Sequence, residues 1–139
     1  MRLNVTECTS RLITARHGIL GTTPADRGPD LVPVCFVATA THAAVPIDTV
    51  KPKASTDLRR RRNLVEDPRA TLLVEHWDED WSSLWWVRAG LELVADTPSG
   101  RRADWDEALR AKYPPYAGAT FADVLVFAIT GVTGWSGAG

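Results

Sequence analysis

The chain has 139 residues, 45% hydrophobic and 24% charged, the balance of one ordinary globular domain, which argues against a disordered chain, a collagen-like repeat and a disulfide scaffold. Sixteen Lys plus Arg against seventeen Asp plus Glu give a net charge of -1. No general excess of cations is therefore available for nucleic acid, and any basic site must be local.

A single domain over 1–139 is expected. Cys8 and Cys35 lack metal-ligand spacing and read as free thiols, Cys35 within the apolar run Val34-Cys35-Phe36-Val37. No stretch approaches the roughly 20 apolar residues that cross a bilayer, and the N-terminus lacks the apolar core of a signal peptide. A cytoplasmic protein without a membrane partner is the expectation.

In chain order, residues 5–17 carry helical signals around Val5, Leu12 and Ile13. His17 to Thr23 reads as a short strand, and 24–29 supplies turn chemistry through Pro24, Asp26, Gly28 and Pro29. Leu31 to Thr39 is a β-favouring run. Pro33 within it cannot donate a ladder hydrogen bond and belongs at an edge, a bulge or a ligand-facing irregularity. Ala43 to Asp48 is a further strand, interrupted by Pro46. Residues 55–67 form a helix capped at Ser55 or Thr56 and barred by Pro68, with Leu58 and Val65 marking one face. Ala70 to Trp77 and Leu84 to Ala95 are strands, the second bent or bulged at Gly90. Arg101 to Tyr113 fits a helix with Trp105, Ala108, Leu109 and Lys112 on one face, stopped by Pro114-Pro115. Val124 to Val132 is the last strand. Six strands with short turns predict a mainly β fold, a closed or partly closed barrel with flanking helices, because closure removes exposed edges.

The sharpest local feature is Lys51-Pro52-Lys53 followed by Arg59-Arg60-Arg61-Arg62. With Asp57, residues 51–62 hold six positive charges and one negative, +5 in a chain of net -1. Cations this close repel one another, so a phosphate or polycarboxylate ligand gives the cluster a physical reason, with the guanidinium groups as bidentate donors. A solvated basic helix paired with Glu66 and Asp67 is the rival reading for the four arginines. A second constellation puts Trp77, Trp81, Trp85 and Trp86 within ten residues. Their flat faces suit a planar ring or a partner subunit, with core packing as the rival. Strand alternation sends Trp85 and Trp86 to opposite faces. Asp78-Glu79-Asp80 reads as a charged turn, not a metal loop, and no metal site is expected. His17, His42 and His76 have no catalytic context and read as structural. Glycine-rich phosphate-loop patterns are absent, so an enzyme here would borrow its hard chemistry from a cofactor.

Taken in order, Leu31-Val32-Pro33-Val34-Cys35-Phe36, then Asp48 with Lys51-Pro52-Lys53, then Leu58-Arg59-Arg60-Arg61-Arg62-Asn63-Leu64 and Pro68-Arg69-Ala70, then Glu75 to Trp81 and Leu84-Trp85-Trp86-Val87-Arg88, the chain resembles a known family. It is similar to the pyridoxamine-5′-phosphate-oxidase-like split β-barrel proteins, in the branch of deazaflavin (coenzyme F420)-dependent oxidoreductases typical of actinobacteria. The resemblance runs from about Ala15 to the closing Gly134-Trp135-Ser136-Gly137. It implies a homodimer of six-stranded split barrels with a cofactor groove at the subunit interface, and the deazaflavin ring along Val32, Pro33 and Val34. Asp48 belongs to the same implied cofactor site, with the phosphate near Lys51, Lys53, Arg59 and Arg62. Trp86 and Arg88 contact ligand or second subunit in this reading, and Trp135 is a further contributor. The implied activity is hydride transfer to a small planar electrophile. The same scaffold serves FMN or haem in related branches, so an FMN-dependent enzyme and a non-catalytic binding protein are the alternatives.

Overall fold

The computed structural model describes residues 1–48, 56–95, 97 and 99–138. Helix α1 (Val5–Thr14) begins on a reciprocal cap: Asn4 Oδ1 accepts from the Glu7 amide at 2.8 Å, and Glu7 Oε2 accepts from the Asn4 amide at 3.0 Å. The strands are β1 (Gly18–Thr22), β2 (Asp30–Val34), β3 (Val37–Ala38), β4 (His42–Asp48), β5 (Arg69–His76), β6 (Trp85–Leu93) and β7 (Phe121–Ser136). Helices α2 (Thr56–Glu66) and α3 (Ser99–Lys112) precede β5 and β7 respectively.

Among the described residues there are seven strands, not the six expected, in one antiparallel sheet ordered β2-β1-β5-β6-β7-β4-β3. The extra strand comes from the run 31–39, which breaks at Cys35-Phe36 into β2 and β3. These are the two opposite edges of the sheet, yet only two residues separate them. A chain that short spans roughly 10 Å, so the sheet must curl round until its edges meet, and the result is a split barrel.

The end of α3 holds that seam. The Phe36 amide donates to Tyr113 Oη at 3.0 Å, while the Phe36 carbonyl accepts from Lys112 Nζ at 2.9 Å. Tyr113 Oη in turn lies 2.8 Å from the Arg16 carbonyl, to which it donates. Backbone groups that leave the ladder are thus satisfied by side chains. Burial pushes the Lys112 amine down to about 8, helped by the nearby Arg16, and pushes the Tyr113 phenol up.

Inward residues of every long strand, among them Leu20, Leu72, Val87, Leu91 and Phe127, fill the barrel. Helix α1 contributes Cys8 and Leu12 to this core and α2 contributes Leu64. Burial of the Cys8 thiol raises its pKa. A second cluster forms where α3 lays Leu109, Trp105 and Ala108 on the outer sides of Val37, Ala44, Val124 and Val126, as the expected face of that helix requires. Strands β4 and β7 are therefore covered on both sides there, which is why 43–47 and 124–127 are buried without alternation. Pro33 sits on an edge strand as expected, and a register shift falls at Gly90, opposite the extra residue Thr130. Val65 departs from expectation: it is 80% exposed, because α2 docks through Asn63 and Leu64 instead. Asn63 Nδ2 donates to Thr22 Oγ1 at 3.0 Å and to Asp30 Oδ2 at 2.7 Å.

Candidate functional site

Helix α3 covers one half of the barrel's outer surface. The other half, on β2, β1, β5, β6 and the end of β7, has no element packed on it among the described residues. The register shows what that face carries. Pro33 pairs with Ile19, Ile19 with Leu73, Leu73 with Arg88 and Arg88 with Thr133, so these five residues form one row across five strands, pointing away from the core. The next row toward α2 is Leu31, Gly21, Thr71, Gly90 and Gly131. On the other side lie Glu75, Trp86 and Trp135. Leu31 is 69% exposed and Trp135 38%, apolar surface uncommon on a face meant only for water.

At the Trp86 end the face opens into a cleft of about 460 Å³, inside the range of small-molecule sites. Its walls are Trp77, Trp85, Trp86 and Trp135, with Leu73 and Leu84; Glu75, His76 and Arg88 supply the polar groups. The two adjacent tryptophans do face opposite ways. Trp85 packs against the core, under Arg11 at 5.0 Å and stacked with His76 at 6.4 Å. Trp86 looks outward with the Arg88 guanidinium 5.3 Å from its ring centroid, a cation–π contact that fixes the charge beside the cleft. The run 78–80 is a charged turn, as read: Asp78 Oδ1 accepts from the Asp80 amide, and Asp80 Oδ1 accepts from the Ser82 amide and hydroxyl. The Ser82 bonds hold the Asp80 carboxyl below its usual range.

The sequence candidates divide. Pro33, Trp86 and Arg88 share the outer face. Val32 and Val34 point inward from the same edge strand, Val34 as part of the core, so only their backbone can meet a ligand on that face. Arg62 is exposed on α2. Asp48 ends β4, and Arg59 lies in α2; Lys51 and Lys53 lie outside the described residues. Arg61 is taken up by an ion pair with Asp123, which also meets Arg102 Nη1 at 3.4 Å. Among the described residues the expected acids do not supply this pairing: Asp67 instead binds Arg69 at 3.0 Å, which lowers the Asp67 pKa.

Two distances organise the site. Pro33 and Arg88 are three strand spacings apart, about 14 Å. Asp123, beside Ile47 at the end of β4, is twelve residues from Trp135 on β7, about 40 Å of extended chain. The α2 region and the tryptophan cleft are thus at opposite ends of the barrel. Composition signalled the cleft through its tryptophans and the resemblance named Trp135, but Glu75 and Leu73 join it only through strand register.

No family model matches the chain, and neither does any curated protein. Solved structures do. An FMN-binding protein from Syntrophomonas wolfei is 18% identical with a TM-score of 0.69, over 95% of this chain and 86% of that one. A FAD-binding protein from Mesorhizobium loti is 19% identical with a TM-score of 0.61, over 96% and 93%. HutZ, the haem storage protein of Vibrio cholerae, is 14% identical with a TM-score of 0.61, over 95% and 94%. At these identities the likeness establishes architecture: the chain has the split-barrel fold that these proteins share.

Proposed function

We propose that this chain binds a flavin-type cofactor between two copies of itself and passes hydride between that cofactor and a small planar electrophile. Coenzyme F420 is the first reading and FMN the second. The observation that carries it is the row joining Pro33 to Arg88 on an uncovered apolar face, beside a four-tryptophan cleft. Solved proteins of the same fold bind FMN and FAD by name, which favours the second reading. Lys51, Lys53, Arg59 and Arg62, the cations of 51–62 other than Arg60 and the Asp123-paired Arg61, outnumber what one phosphate needs and favour F420, whose tail bears a phosphate and several carboxylates.

The available residues fit such a group. Arg62 is exposed, and among the described residues no carboxylate is paired with it, whereas Arg61 is spent on Asp123. Arg59, Arg62, Lys51 and Lys53 would hold the anionic tail, near Asp48, and the Val32-Pro33-Val34 edge would lie along the ring. Trp86 and Arg88 are about 14 Å from Pro33 within one chain, too far to touch the same ring edge, so a second copy would bring them to it. When bound, the cofactor supplies the hydride. The protein's part is to orient ring and substrate face to face and to exclude water.

Titration of the purified protein with F420, FMN and haem, followed by tryptophan fluorescence, tests the reading. Saturable quenching by F420 at micromolar concentrations is expected, with weaker quenching by FMN. Tight binding without hydride transfer to any quinone or enone would reduce the chain to a carrier, and no quenching by either flavin overturns the reading.

A further inference from the structure

We infer that the tryptophan cleft is a recognition site for planar aromatic monocarboxylates, with Arg88 as the carboxylate receptor. This extends the proposed function by naming the class of molecule that meets the cofactor, and binding at the cleft is measurable without any cofactor. The walls are apolar and flat: Trp86 and Trp135 are directly opposed in the ladder, and Leu73 forms the floor beside them. Indole faces of this kind stack on aromatic ligands. Arg88 stands at the margin, opposite Leu73, with its guanidinium held by the Trp86 ring. Among the described residues no carboxylate is paired with it. A guanidinium that is oriented, beside an apolar wall and without a protein anion among the described residues is a receptor for a carboxylate carried in by a ligand.

The remaining charges limit the ligand to one negative group. Glu75 lies on the same face, diagonal to Arg88, and no ion pair joins them. His76 Nε2 is 3.8 Å from Asp78 Oδ2, and Glu79 Oε1 accepts from Trp77 Nε1 at 3.4 Å. A second carboxylate on the ligand would meet these acids. A neutral aromatic would stack but gain nothing from the Arg88 charge.

The probes are 2-naphthoate, its neutral alcohol and a naphthalene dicarboxylate, titrated into wild type and Arg88→Gln with tryptophan fluorescence as the readout and F420 titrated in parallel. Arg88 is exposed, so the substitution leaves the fold intact. Saturable 2-naphthoate binding to wild type is expected, weakened about tenfold or more by Arg88→Gln, while the alcohol binds both proteins alike and the dicarboxylate binds worst. Equal 2-naphthoate affinity in the two proteins overturns the inference. So does the absence of saturable binding, including the case in which a second copy covers the cleft. If F420 binds and 2-naphthoate does not, this inference fails while the cofactor reading stands; Arg88-dependent 2-naphthoate binding with no cofactor binding gives the reverse.

Discussion

Lys112 Nζ donates to the Phe36 carbonyl at 2.9 Å and stands 4.1 Å from the centroid of the same residue's ring. The contact joins the end of α3 to the two-residue corner where the edges of the barrel meet. Burial holds the Lys112 pKa at about 8, below the ordinary lysine value of 10.5. A folded-state value below the unfolded one means that the unfolded chain binds more protons in between, so the contribution to stability is complete above 10.5 and is lost as pH falls to about 8. The half-exposed amine is screened, so the change is about 1 to 2 kcal/mol rather than the full shift. Urea unfolding of wild type and Lys112→Met across this window is expected to show the rise in wild type only.

Tyr113 supplies the other half of the seam. Its hydroxyl accepts from the Phe36 amide and donates to the Arg16 carbonyl. Tyr113→Phe keeps the ring and leaves a buried N–H without its partner, at a cost of about 1 to 3 kcal/mol. Chemical denaturation is expected to show a lower midpoint with an unchanged slope.

Gly134 lies where α1 meets the barrel. A Cβ there would come within 2.8 Å of Cys8 Sγ and 2.9 Å of the Trp86 carbonyl. The carbonyl belongs to the ladder and cannot move aside, so Gly134→Ala is expected to destabilise by about 1 to 3 kcal/mol. Thermal unfolding checks this, with Gly131→Ala as the control, since a Cβ at Gly131 meets nothing within 4 Å.

Asn63 ties α2 to β1 and β2 through Thr22 and Asp30. Asn63→Ala leaves those partners short of a donor and is expected to cost about 1 to 3 kcal/mol. Because the helix carries Arg59 and Arg62, the proposed function adds a second expectation: weaker binding of a phosphate-bearing flavin, read by titration of the folded variant.

Much of this fold was legible in the sequence because its signals are local. Pro33 marked an edge, Gly90 a bulge, and the spacing of Trp105, Ala108, Leu109 and Lys112 marked the buried face of α3. The break at Cys35-Phe36 was not legible, because the side chains that satisfy Phe36 come from residues 112 and 113. Val65 misled for a related reason: the helical wheel gave an apolar face, but a buried polar residue, Asn63, found its partners on two strands and set the orientation of α2. The site was legible only in pieces. Residue types named Trp86 and the basic run, and the family resemblance added Arg88, while the row that links Pro33 to Arg88 depends on pairing across four strands.

The most direct test of the central claim compares FMN with riboflavin, which lacks the phosphate, on wild type and on the Lys51→Ala/Lys53→Ala/Arg62→Ala variant. If the cations near α2 hold a cofactor's anionic tail, the triple substitution weakens FMN at least tenfold and leaves riboflavin unchanged. Equal affinity of the two proteins for FMN would contradict the account.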